Sequence, residues 1–240
     1  MCNPPSAESA IQVGRIPTSV HAAGSWRIID IAEDFELEDL WALPAIGSHD
    51  DFGRVVEMIE SLDIKEGSLP TRFVWRVRDL LGEWFGLGRI SAGPEPTGLP
   101  IPSTTSMTLA DRLPPDLAGT VEPGIVPTDT PFIALYRTDR EYASELSNRT
   151  VHSIMHLAWA DLGDDTYQAQ MAVYVKPRGA FGRAYMQLIK PFRYAIVYPE
   201  LMRLIDRAWR RRMERTSPTA GAGVDHLRSP GLVTNVSRPA

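Results

Sequence analysis

Cysteine is nearly missing from this chain: its 240 residues include one, at position 2, within a polar, proline-containing start. With no second thiol there is no internal disulfide and no cysteine-based zinc cluster. Histidine is also scarce, at five residues. No apolar run reaches the roughly 18 residues that a membrane-spanning helix needs. Basic charge is not in excess either, since the formal net charge is -5, which removes the positive footprint of a general nucleic-acid binder. A phosphate-cradling loop ending in Lys-Ser or Lys-Thr does not occur, and Gly86-Leu87-Gly88 lacks the third glycine and the preceding strand of a dinucleotide fingerprint. There is no Gly-x-Ser-x-Gly elbow. The first two dozen residues lack the charged start and apolar core of a secretory signal. What remains is a globular composition, 43% hydrophobic and 23% charged, which suits one large cytoplasmic domain in a reducing compartment.

Three segments follow from composition: a flexible leader over 1–24, a folded domain over 25–215 and a flexible tail over 216–240. Within the domain, Trp26 to Ile31 reads as a first strand, closed by an acidic stretch from Glu33 to Asp39. Phe52, Val55, Val56, Ile59 and Leu62 share one helical stripe, with Asp50 or Asp51 as N-cap acceptor. A second helix is expected from Pro70 to Phe85, ending at Gly86 and Gly88. A Pro-rich loop fills about 91–131, helical only at Leu109 to Leu113, and Phe132 to Arg137 reads as a strand. Tyr142 to Leu146 is open between helix and strand.

The clearest signal is a hairpin of Val151–Trp159 and Tyr167–Val175 around a turn-rich Asp161 to Asp165. Pairing Trp159 with Tyr167 sets Leu157, Met155, Ser153 and Val151 opposite Ala169, Met171, Val173 and Val175 on one apolar face. The other face carries His152, Ile154, His156 and Ala158 beside Gln168, Gln170, Ala172 and Tyr174. Helical stripes resume at Phe181, Ala184, Tyr185, Leu188 and Ile189, and at Tyr198, Leu201, Met202, Ile205, Ala208 and Trp209, with joints at Pro191 and Pro199.

His152 and His156 would suit one metal ion on a helix, but four residues of strand separate their Cα atoms by ~13 Å, so no metal site is expected. The histidines are expected at the surface or an interface, with a role at a pocket rim as the alternative. Charge is lopsided: residues 31–66 hold eleven acids and two bases, residues 180–215 nine bases and three acids. Mutual steering and helix capping explain this most simply. Contact of Trp209 and the neighbouring arginines with an anionic membrane surface is the alternative.

The segments Asp39-Leu40-Trp41-Ala42-Leu43-Pro44, Asn148-Arg149-Thr150-Val151-His152 and Gln170-Met171-Ala172-Val173-Tyr174-Val175-Lys176-Pro177 resemble a bacterial family of unknown function. So do Ile189-Lys190-Pro191-Phe192-Arg193 and Ile196-Val197-Tyr198-Pro199. The resemblance extends over about Trp26 to Arg210. That family is similar in turn to the START and birch-pollen-allergen superfamily, whose helix-grip fold wraps a curved antiparallel sheet around a long C-terminal helix. The resemblance brings no assigned chemistry, so no catalytic residue is carried over.

The expected fold is therefore α+β and helix-grip: a curved antiparallel sheet on a long C-terminal helix, with two helices after the first strand. The expected activity is binding of a hydrophobic small molecule between sheet and helix, without cofactor or nucleic acid. Ser153, Met155, Trp159, Tyr167, Met171, Val173 and Tyr185 are the expected ligand contacts. Two rivals use the same residues differently. A cyclase, dehydratase or hydrolase would need a titratable group pointing into the cavity, and an interaction module would have a filled core.

Overall fold

The computed structural model describes residues 11–62, 100–121, 132–148 and 150–216. The expected helix over Pro70–Phe85, much of the Pro-rich stretch and the tail from 217 lie outside them. Among the described residues, six strands form one antiparallel sheet. They are β1 (Gly14–Arg15), β2 (Glu36–Gly47), β3 (Ile133–Arg137), β4 (Glu141–Ser147), β5 (Val151–Gly163) and β6 (Thr166–Pro177), in the order β1-β2-β6-β5-β4-β3. The helices are α1 (Thr18–Ala22), α2 (Arg27–Ile31), α3 (Phe52–Glu60), α4 (Gly179–Phe192) and α5 (Tyr198–Thr216). The architecture is the expected α+β arrangement, an open antiparallel sheet packed on a long C-terminal helical rod.

The β5–β6 hairpin forms, but its register differs by two residues from the expected one. Trp159 faces Ala169, and Asp161 faces Tyr167. The turn is tighter than expected, with Asp164 and Asp165 at φ 51° and 54° between Gly163 and Thr166. Two consecutive positive-φ residues make a type I′ turn, whose twist matches that of the strands. Because side chains alternate with period two, a shift of two keeps every residue on its expected face.

That face carries the helices. Trp41, Leu43 and Ala45 of β2, Tyr142 of β4, Leu157 and Trp159 of β5, and Ala169 and Met171 of β6 close against α3 and α5. Val151 and Val175 pack on Met186 of α4, with Tyr185 and Ile189 beside them. Gly182 is the point of closest approach: a Cβ there would lie 2.3 Å from the Thr150 carbonyl oxygen. That oxygen is fixed by the Arg178 N–H at 2.8 Å, so Gly182→Ala must push α4 off the β4–β5 turn. Denaturant unfolding should show about 1–3 kcal/mol of lost stability, the usual cost of overpacking.

The opposite face is where the structure departs from expectation. Trp26–Ile31 is not a strand: Arg27–Ile31 is the short helix α2. Residues 11–24, expected as leader, contribute β1 and α1, and His21 is fully buried. Ile16, Ile28, Ile31 and Phe35, together with Ile101, Leu109 and Leu117 from the Pro-rich stretch, cover Ile154, Ala172 and Tyr174. His152 and His156 therefore lie inside the protein at 0% exposure, not at its surface. The sheet is buried on both faces, and a polar-looking strand face needed a second layer to cover it.

Around α3, Asp51 serves a capping box: its Oδ2 accepts from both the N–H and the hydroxyl of Ser48 at 2.9 Å. Leu109 to Leu113 makes only a 3-10 turn over Ala110–Arg112, and Tyr142 to Leu146 is extended within β4. The C-terminal rod breaks where its prolines stand. A five-residue π segment, Arg193–Val197, joins α4 to α5 between Pro191 and Pro199. Each proline lacks an N–H and crowds the carbonyl four residues back, and widening the helix accommodates both.

Candidate functional site

The π segment lies over the acidic end of β2. Asp39, fully buried, accepts hydrogen bonds from Arg193, from the Tyr194 hydroxyl and, at 2.7 Å, from the Tyr198 hydroxyl. Arg193 also donates to the Tyr198 oxygen at 2.8 Å. Lys190 pairs with Glu38 at 3.0 Å, and Arg15 sits 4.7 Å from the centre of the Tyr194 ring. Trp41 stacks on Tyr198 with centroids 4.4 Å apart. Burial, then the neighbouring Asp39 carboxylate, pushes the Tyr194 hydroxyl up to about 12, so it stays a donor at neutral pH.

From Asp39 a row of side chains crosses four strands on the helix-facing side. Asp39 opposes Val173, Val173 opposes Met155, and Met155 opposes Ser144. The row beside it, Trp41, Met171, Leu157 and Tyr142, is closed, with no member above 8% exposed. Met155 and Val173 are only half-buried, although they sit on the two central strands. Val173 is also where the cluster beneath α5 meets the cluster beneath α4. The sheet is thus incompletely covered at Met155 and Val173. Two buried polar atoms of neighbouring side chains have no hydrogen-bond partner: Trp41 Nε1 and Arg193 Nη1.

The expected contacts divide accordingly. Met155 and Val173 lie in the open row, with Ser153 half-buried on the same side, its hydroxyl donating to the Tyr174 carbonyl at 3.1 Å. Tyr185 belongs to the α4 cluster next to Val173. Trp159, Met171 and Tyr167 are elsewhere. Met171 is in the closed row. Trp159 is sealed between Phe52 and Tyr167, with Nε1 donating to the Ser48 carbonyl at 3.0 Å. Sequence reasoning missed Asp39, Arg193, Tyr194 and Tyr198, although two prolines eight residues apart in one helical stretch marked the joint that assembles them.

The other face holds two histidine–carboxylate pairs. His156 Nε2 lies 3.0 Å from Glu141 Oε2, and His152 Nε2 lies 2.6 Å from Glu145 Oε2. Both pairs are diagonal across β4 and β5, so one four-residue spacing of histidines matches one four-residue spacing of glutamates. Burial works to raise the Glu141 pKa. Hydrogen bonds from His156, the Arg27 N–H and the Tyr136 hydroxyl outweigh it and hold the carboxyl below its usual range. Among the described residues no group of three or more His, Cys, Asp or Glu could hold a metal ion.

The charge asymmetry resolves largely into ion pairs. Arg193 and Lys190 meet Asp39 and Glu38, while Arg212 meets Glu57 of α3 at 3.4 Å. Arg210 pairs with Asp206 within α5, and Arg203 with Glu200. Trp209 is buried, its Nε1 donating to the Ile46 carbonyl at 3.1 Å, which withdraws it as an anchor for a membrane surface. No helix among the described residues is long and apolar enough to cross a membrane.

These features define an α+β sheet-and-helix domain with a partly open row of side chains beneath a broken C-terminal helix. Residues 31–200 match the family described as protein of unknown function (DUF2867), and the chain belongs to that family. No curated protein and no solved structure matches it.

Proposed function

We propose that this protein binds a small molecule with a hydrophobic body on the Asp39–Val173–Met155–Ser144 row, beneath the joint between α4 and α5. The observation that carries this reading is the half-burial of Met155 and Val173 at the centre of the sheet, beside a row that is closed. A flexible thioether next to a small β-branched side chain forms an adaptable apolar floor. The neighbouring nitrogens without a hydrogen-bond partner, on Trp41 and Arg193, can both donate hydrogen bonds. They favour a ligand whose polar end is an acceptor oxygen. The cavity-enzyme alternative needs a titratable group on this side: His152 and His156 both face the other way, and Asp39, Tyr194 and Tyr198, which are on this side, are already bonded to one another.

Anilinonaphthalene sulfonate, an aromatic body with acceptor oxygens, tests the proposal. Met155→Trp fills the floor and should weaken binding about 10-fold or more, a change of roughly 1.4 kcal/mol. Equal affinity in the two proteins would remove the site.

A further inference from the structure

We propose that His21 and His156 form an acid-sensitive latch, which holds the N-terminal segment (residues 11–32) against the sheet at neutral pH and releases it as the pH falls. Within this segment His21 of α1 is buried under Trp26, with ring centroids 6.0 Å apart. It meets the edge of His156 at 5.2 Å and that of Tyr174 at 5.8 Å. Neither of its ring nitrogens has a hydrogen-bond partner, and His156 Nδ1 has none. The segment is also tied to the sheet by β1 paired with β2, by Ile16, Ile28 and Ile31 in the core, and by α2, whose first N–H groups have no cap of their own. Glu141 of β4 supplies one, accepting from the Arg27 N–H at 2.9 Å and 3.1 Å. The family match begins at residue 31, so the latch residues on this side precede the matched region.

Every charged or titratable group around His21 bears on its response. Among the described residues Glu141 is the carboxylate that acts on His21, and it is already engaged by His156, by Tyr136 of β3 and by the Arg27 N–H. His156 on β5 would become a second cation beside it. Arg140 lies 5.9 Å from the Trp26 ring centre, the Arg27 guanidinium at the head of α2 is paired with Asp116 at 2.8 Å, and Tyr174 of β6 stays neutral. A proton on His21 is therefore placed among aromatic rings and other cations, with its nearest counter-charge already shared.

The sign follows directly. Burial, then repulsion from His156, lowers His21 from 6.5 to about 3, so the closed segment binds fewer protons than the open one between those values. Closure is complete above about pH 6.5 and weakens as the pH drops. His156, lowered by burial against the pull of Glu141, acts in the same direction. For His21 alone, the ratio of closed to open should fall about 30-fold between pH 8 and pH 5.

Hydrogen exchange on the whole chain, corrected for intrinsic rates, reads this out at the Ile16, Ala23, Gly24 and Ala32 amides, all hydrogen-bonded in the closed form. Protection there should drop about 30-fold or more from pH 8 to pH 5 while the β5–β6 hairpin keeps its own, and His21→Phe should remove the 30-fold part and leave only what His156 contributes. Equal protection at both pH values, an equal drop in the variant, or a parallel loss in the hairpin would overturn the latch. Should His21→Phe not fold, the imidazole resonances of the wild-type protein decide. A His21 that stays neutral until the segment opens supports it, and one titrating near 6.5 in the closed form overturns it.

Discussion

Replacing Asp39 by alanine lowers the unfolding free energy by about 3–5 kcal/mol, the loss expected when one partner of a buried ion pair is removed. Asp39 is fully buried, and it accepts from Arg193, Tyr194 and Tyr198, all from the joint between α4 and α5. Without it the Arg193 guanidinium, 13% exposed, keeps only Glu38 at 3.9 Å as a counter-charge, and two tyrosine hydroxyls lose their acceptor. Tyr198→Phe removes a hydroxyl that donates to Asp39 and accepts from Arg193, and should cost about 1.5–3 kcal/mol. The order Asp39→Ala above Tyr198→Phe, measured by denaturant titration, separates a charge-centred joint from one held by aromatic packing. A loss in Asp39→Ala no larger than about 1 kcal/mol would assign the joint to the stacking of Trp41 on Tyr198, which neither substitution removes.

Trp159→Ala is the second large loss, again about 3–5 kcal/mol, and it arises from packing. Trp159 is fully buried and among the largest such side chains in the described structure. Its ring lies 6.1 Å from both Phe52 and Tyr167, and its indole N–H holds the Ser48 carbonyl where the α3 cap begins. Truncation leaves a cavity between sheet and α3 and frees the capping segment. Trp159→Phe retains most of the volume and should cost about half as much. Probe binding at the Met155 row should survive in Trp159→Phe, because Trp159 lies two rows away on β5.

How much of this was legible in the sequence depended on whether the deciding partner was near in the chain. Local periodicity located α3, the hairpin and the broken terminal rod. The expected register differs by two because the whole of Asp161 to Asp165 reads as turn-rich in sequence, whereas the left-handed Asp164-Asp165 pair alone makes the turn. The β2 strand stayed hidden because Glu36, Glu38 and Asp39 are poor strand formers. Two of them are accommodated by cations from α4 and the π segment, some 150 residues later. The α2 helix, five residues long, takes its N-terminal acceptor from Glu141, 114 residues away, so no local capping signal could mark it. His152 and His156 looked exposed for the same reason, their carboxylate partners becoming visible only once β4 is registered on β5.

The site followed the same pattern. Met155 and Val173 were readable as members of an apolar strand face. Which of seven candidates border an incompletely covered place was not, because that depends on where α4 stops and α5 begins. Trp159 and Met171 share the face and are consumed by packing against α3 and α5.

Methyl resonances of the methionines offer the most direct measurement, since Met155 and Met171 of the sheet and Met58 of α3 belong to one cluster between sheet and helices but differ in cover. On titration with anilinonaphthalene sulfonate, the Met155 methyl should shift most and saturate together with the fluorescence, while Met58, packed within α3, stays in place. Saturating fluorescence with an unmoved Met155 would contradict a binding place beneath the helix joint.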